Sequence, residues 1–142
     1  MKKIIICFCF ILPIFSLVSC NQGKISNQIS INVSESTKFS KDEINNAIEC
    51  VKSNFSFPAS TLTKVLYDEE KSNNLVDNYL ETGLGSVNGI NAENVIILLS
   101  NFDVDDSGDN PVLTRNTTYT EYQWILIRDD KTSDWKIDGM GY

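Results

Sequence analysis

The sequence contains no histidine. That removes the most frequent general base, the most frequent metal ligand and any Ser–His or Cys–His nucleophile pair. Cysteine is scarce where it would count. Of the four cysteines, Cys7 and Cys9 lie inside an apolar leader and Cys20 closes it. Cys50 is then the one thiol left to a folded part, which can form no internal disulfide even in an oxidising compartment. Basic residues are also in the minority, 12 against 19 acidic, for a formal net charge of −7. Removing Lys2 and Lys3 with the leader takes that to −9. A surface of this sign repels phosphate backbones, which argues against a nucleic-acid partner. It argues equally against electrostatic adhesion to anionic head groups.

What is present begins with the leader. Lys2 and Lys3 precede an apolar stretch over Ile4–Val18 that Pro13 interrupts. The stretch is short of the roughly 20 apolar residues a spanning helix needs and fits a cleaved secretory signal. It ends Leu17-Val18-Ser19-Cys20, which resembles a lipobox. The resemblance implies a lipoprotein signal peptide over 1–19. Cleavage then falls beside small Ser19, and the Cys20 thiol carries a diacylglycerol thioether with further acylation such as palmitate. Two chains give stable anchoring where one binds only marginally. The expected location is the extracytoplasmic face of the cell membrane, with the membrane itself as the first partner.

Residues 20–38 are polar, rich in Ser and Asn, and read as a flexible tether. The alternative is a short edge strand at Ile29–Val33, where apolar and polar residues alternate. Residues 39–142 read as a single α+β domain. Ser40 and Glu43 have capping-box spacing, Phe39 and Ile44 the spacing of a hydrophobic staple. Ile44, Ala47, Ile48, Val51 and Phe55 then recur on one helical face until Pro58 forbids continuation. Cys50 lies beside that stripe and reads as a half-buried, unreactive thiol. Thr61–Asp68 alternates as a strand, with Leu62, Lys64 and Leu66 set against Thr63, Val65 and Tyr67. Ser72–Thr82 reads as a short helix stopped by Gly83. The glycines at 83, 85 and 89 do not have phosphate-loop spacing. Glu93–Val104 is a long strand whose doubly apolar run suggests burial on both faces, and Thr118–Arg128 is its expected antiparallel partner. Asp129–Asp134 is a turn, and a closing strand carries Trp135 and Ile137. The order predicts an antiparallel meander with the first helix packed on one face.

Three stretches, LYDEEKSN (66–73), ENVIILLSNFDVD (93–105) and YQWILIRDDKTSDWKIDGMGY (122–142), resemble a family of bacterial secreted and lipoprotein domains, domain-of-unknown-function family 4829. The resemblance covers Phe39–Tyr142. It implies kinship with the nuclear-transport-factor-2-like (cystatin-like) group: a curved antiparallel sheet that helices close into a cone, often with a pocket. It supplies no functional residues, and a shared fold does not transfer chemistry.

Several constellations invite a function. Asp103, Asp105, Ser107, Gly108 and Asp109 match the early positions of a calcium loop, but the motif then meets Pro111 and Thr114 where it wants further ligands. The plainer reading is a solvated hairpin loop. Tyr67, Asp68, Tyr122 and Trp124 are placed to line a cone, where a buried carboxylate beside a tyrosine is workable acid–base chemistry. Core packing competes with that reading, and with an exposed Tyr119–Tyr122–Trp124 stripe for glycan or protein. The sequence therefore predicts a lipid-anchored extracytoplasmic domain that binds a partner protein or a small ligand, with Tyr67, Tyr122 and Trp124 as candidate ligand contacts and no catalytic residue, metal or cofactor. The alternatives are a small carboxylate/tyrosine isomerase or hydrolase and a structural dimerisation module.

Overall fold

A computed structural model describes residues 22–142. The leader and Cys20 lie outside the described residues. Five strands form one open sheet in the order β1-β2-β3-β4-β5: β1 Lys24–Val33, β2 Ser60–Tyr67, β3 Val95–Val104, β4 Thr117–Ile127 and β5 Lys136–Gly141. Helix α1 (Lys41–Asn54) joins β1 to β2. Helix α2 (Glu69–Thr82) and the short α3 (Gly85–Asn88) precede β3. The class is α+β, as expected.

Helix α1 starts as the sequence predicts. Ser40 Oγ accepts from the Glu43 N–H, and a Glu43 carboxylate oxygen accepts from the Ser40 N–H, satisfying two donors that an α-helix leaves orphaned. Its apolar stripe buries Ile44, Ala47, Ile48 and Val51. Helix α2 starts three residues before Ser72. Asp68 is its N-cap, accepting from the Lys71 N–H at 2.9 Å, and Glu69 and Glu70 sit in the first turn, where the helix dipole favours acid. Asp68, expected to end the strand, instead caps the helix.

The central strand β3 is buried on both faces. Ile96, Leu98 and Phe102 pack with α1, whereas Val95 and Ile97 pack with Val76 and Tyr79 of α2. The sheet therefore carries a helix on each face rather than one helix on one face. Where β2 ends, the Ile97 N–H is met by the hydroxyl of buried Ser72 at 3.1 Å. The alternation expected for β2 is broken. A register shift between Leu62 and Lys64 puts Leu62 in the same core cluster as Val65 and Tyr67. An extra residue in one strand reverses the facing of everything before it.

The flexible tether expected over 20–38 is corrected at β1, a strand longer than the alternative Ile29–Val33. The strand runs over ten residues and pairs in parallel with β2, from Lys24 opposite Thr61 to Val33 opposite Tyr67. The meander is thus antiparallel only from β2 onward. Parallel pairing of β1 and β2 needs a crossover, which α1 supplies. Polar composition concealed β1 because its pairing is made by main-chain groups. Ile25 and Ile29 are half-buried against the core, while Ile31 and Val33 remain 42% exposed on this edge strand.

Candidate functional site

The residues proposed to line a cone are brought near one another, but as core. Trp124 and Tyr67 are completely buried. Trp124 Nε1 donates to Ser100 Oγ at 2.8 Å, and its ring stacks on Phe57 at 5.8 Å. Tyr122 is half-buried, edge-on to Phe57, Phe102 and Tyr142 at 5.4–5.5 Å. Phe102 meets Phe55, Phe57 and Tyr119 at 5.1–5.6 Å beside Tyr122 and Trp124, and Phe39 is edge-on to Tyr67 at 6.4 Å. Burial raises the Tyr67 and Tyr122 hydroxyls above the ordinary phenol range. The volume expected as a ligand cone is filled by aromatic rings.

Asp68, the carboxylate offered beside Tyr67, is spent on capping α2. Cys50 is half-buried, its thiol donating to the Trp135 carbonyl, and burial pushes its pKa up, which suits an unreactive role. In the calcium-like loop, Asp103 accepts from Thr118 Oγ1 at 2.6 Å, and Asp105 accepts from Ser107 N and Oγ. Among the described residues no three acidic, cysteine or histidine side chains are grouped to hold a metal ion.

Two polar clusters escaped the sequence reading. In the first, Glu69 reaches into the loop between β1 and α1. Its carboxylate accepts from the Thr37 N–H and hydroxyl at 2.7–3.1 Å, from the Lys38 N–H at 3.3 Å and from the Ser36 hydroxyl. The Ser36 and Thr37 hydroxyls, then the backbone donors, hold its pKa down at about 2. A depressed carboxylate stabilises fully above its unfolded pKa of about 4.5, and that contribution is lost as pH falls toward 2. We expect Glu69→Gln to lower the urea midpoint at pH 7, and the deficit to shrink between pH 4.5 and 2. Urea titrations at pH 7 and pH 3 check this, and an equal deficit at both would sink the assignment.

In the second cluster, Arg128 is 3% exposed and its Nη2 lies 2.7 Å from Glu43 Oε1. Its guanidinium packs over the Trp135 ring at 4.4 Å, a favourable cation–π distance. Trp135 Nε1 in turn donates to the Glu43 carbonyl. Elsewhere, Tyr79 on α2 donates to Asp138 of β5 at 2.7 Å and accepts from Asn88. Burial, then Asp138, drive the Tyr79 hydroxyl up to about 12, so this carboxylate–tyrosine pair is a fastener for α2 with little capacity to shed its proton.

One groove that the described residues leave open, of about 710 Å³, lies between the end of β1 and the first turns of α1. Val33, Phe39 and Ile44 give it apolar walls; Ser36, Lys41 and Asn45 give it polar ones. The unpaired edge of β1 runs into it, and the Glu69 cluster fixes its Ser36 side. The sequence marks the two sides of this region separately, by the Ile29-Ile31-Val33 alternation and by the Phe39–Ile44 staple and Ser40 cap of α1.

Residues 20–141 match the family described as a domain of unknown function (DUF4829). The chain belongs to the DUF4829 family. The match begins at Cys20, well before the Phe39 start inferred from the sequence, and so takes in β1, as a strand integral to the sheet requires. No curated protein and no solved structure matches the chain. Among the described residues no helix is long and apolar enough to cross a membrane.

Proposed function

We propose that this DUF4829 chain is a lipid-anchored, extracytoplasmic binding module whose partner is a protein, engaged at the β1 edge and the groove beside it. The Leu17-Val18-Ser19-Cys20 signal supports the anchor. The observation that carries the choice of partner is the solid aromatic packing around Trp124 and Tyr67, which leaves a small ligand no cone to enter. An open strand edge with exposed Ile31 and Val33 offers main-chain donors and acceptors to an extended segment, with the groove as a socket for its side chains. No catalytic residue belongs to this proposal. Kinship with the nuclear-transport-factor-2-like group draws support from a helix followed by an antiparallel β2–β5 sheet. The parallel β1–β2 pair and the helix on the second face stand apart from it.

A photo-crosslinking residue at Ile31 in cells is expected to yield a heavier, discrete adduct, with none from the same residue at Asp77 on α2. An adduct of twice the chain's mass would instead favour the dimerisation module. Absence of any adduct at Ile31 would overturn the proposal.

A further inference from the structure

The lipid anchor proposed at Cys20 and the position of Gly23 together fix how the domain faces the membrane. Gly23 lies against the Phe57 backbone. A Cβ there would come within 2.9 Å of Phe57 N and O and of the Phe55 ring, so the chain is already seated on the domain at residue 23. Three peptide units separate it from Cys20 and reach at most about 11 Å. An attached lipid therefore keeps the Gly23 end of the sheet within a head-group layer's thickness of the bilayer, where an 18-residue coil would have let the domain tumble freely.

The register identifies what else lies at that end. Lys24 is opposite Thr61, Ser60 opposite Val104, and Val104 opposite Thr117. The 105–116 loop is bound to the same end, with Asp105 N donating to the Ala59 carbonyl and Asn110 Nδ2 to the Pro58 carbonyl, both at 2.9 Å. Within it, Val112 is 86% exposed, the most exposed of the large apolar residues described. The groove lies at the Val33 end, six strand steps away along β2, or about 20 Å.

We infer that the Gly23 end rests on the bilayer, with Val112 of the 105–116 loop against lipid and the Val33–Ile44 groove turned outward. The occupant of this surface is the membrane that holds Cys20. Three residues of chain confine the domain to it, so the acidic loop needs no electrostatic attraction. The inference rests on the proposed anchor and adds the orientation.

The test uses the full chain with Cys50→Ala, lipidated in cells and reconstituted into phosphatidylcholine–phosphatidylglycerol vesicles containing nitroxide-labelled lipid. A fluorophore at Val112→Cys is expected to be quenched several-fold more than one at Glu70→Cys, in the first turn of α2 beyond the groove. Inserting twenty Gly/Ser residues between Asn21 and Gln22 should abolish the difference. Equal, weak quenching at both positions in protein whose intact mass carries the lipid would overturn the orientation and leave the anchor standing. A chain lacking the lipid mass and failing to bind vesicles would overturn both.

Discussion

Glu43→Ala is expected to remove about 3 kcal/mol of folding stability at pH 7, the lower end of the cost of stranding a buried charge. Three interactions converge on this residue. One carboxylate oxygen pairs with Arg128, which is 3% exposed. The other closes the capping box on Ser40, and the backbone carbonyl receives the Trp135 indole. Alanine keeps the last and loses the first two, leaving a guanidinium whose Nε already lacks a hydrogen-bond partner. Domains of this size hold about 5–15 kcal/mol in total, so the variant should melt far below the wild type. Hydrogen bonds from Ser40, and then Arg128, lower the Glu43 pKa to about 2. The ordinary carboxylate value is about 4.5, so the stabilisation is whole above that pH and drains away toward pH 2. The wild type should therefore lose stability on acidification over that window, and Glu43→Ala should lose less. Denaturant melts at pH 7, 4 and 2.5 measure both slopes. A double variant, Glu43→Leu with Arg128→Met, should recover much of the loss, because a pair replaced by apolar groups strands nothing. If it is no more stable than Glu43→Ala, the burial of Arg128 is not the cause.

Trp124→Ala is the second large effect, with an expected cost of about 3–5 kcal/mol, the range for truncating a buried aromatic. The indole has no exposed surface and meets Phe55, Phe57 and Tyr122 at centroid distances of 5.8–6.4 Å. The deletion also orphans Ser100 Oγ, itself buried. Trp124→Phe separates the two contributions. It retains most of the ring and loses the hydrogen bond, for about 1–2 kcal/mol. Adding Ser100→Ala to it should then cost little more. A ligand-lining tryptophan would behave otherwise. Its truncation would leave the unfolding free energy within about 0.5 kcal/mol of wild type, as surface changes do, and that outcome would restore the cone.

These two residues also mark what the sequence made legible and what it hid. Helix α1 was readable to the residue because its signals are local: Ser40, Glu43, Phe39 and Ile44 fall within six positions. The central strand β3 was readable because burial on both faces leaves an unmistakable apolar run. β1 was not, since Ser, Asn and Gln pair through the backbone and carry little composition signal. The β2 bulge was not, because a single inserted residue inverts a period of two. The Glu43–Arg128 pair spans 85 positions and the Glu69 cluster more than 30; neither leaves a pattern along the chain. The site suffered most. Tyr67, Tyr122 and Trp124 have the chemistry of ligand contacts, and the aromatic character that suggests a pocket is the same property that packs the core. The groove joins Val33 and Ser36 to Phe39, Lys41, Ile44 and Asn45, and although Phe39 and Ile44 announce a helix start, nothing marks them as groove walls until β1 and α1 are placed side by side.

The pairing of Glu43 with Arg128 and Trp135 has a consequence for the order of events as the chain is made. Synthesis delivers the N-terminal half first, and the first 67 residues already hold β1, its crossover helix and β2. Yet the inner side of that helix is finished only by Trp135, 92 positions beyond Glu43, and the Trp124 ring against Phe55 arrives almost as late. Contacts so distant in sequence are slow to form, because the entropy of closing the loop must be met before they contribute. The nascent half therefore carries an unfinished apolar helix face until nearly the last residue is available. A chain truncated before Trp135 would have its most recognisable helix intact and resting on β2–β4, but without the indole that closes over Glu43 and Arg128.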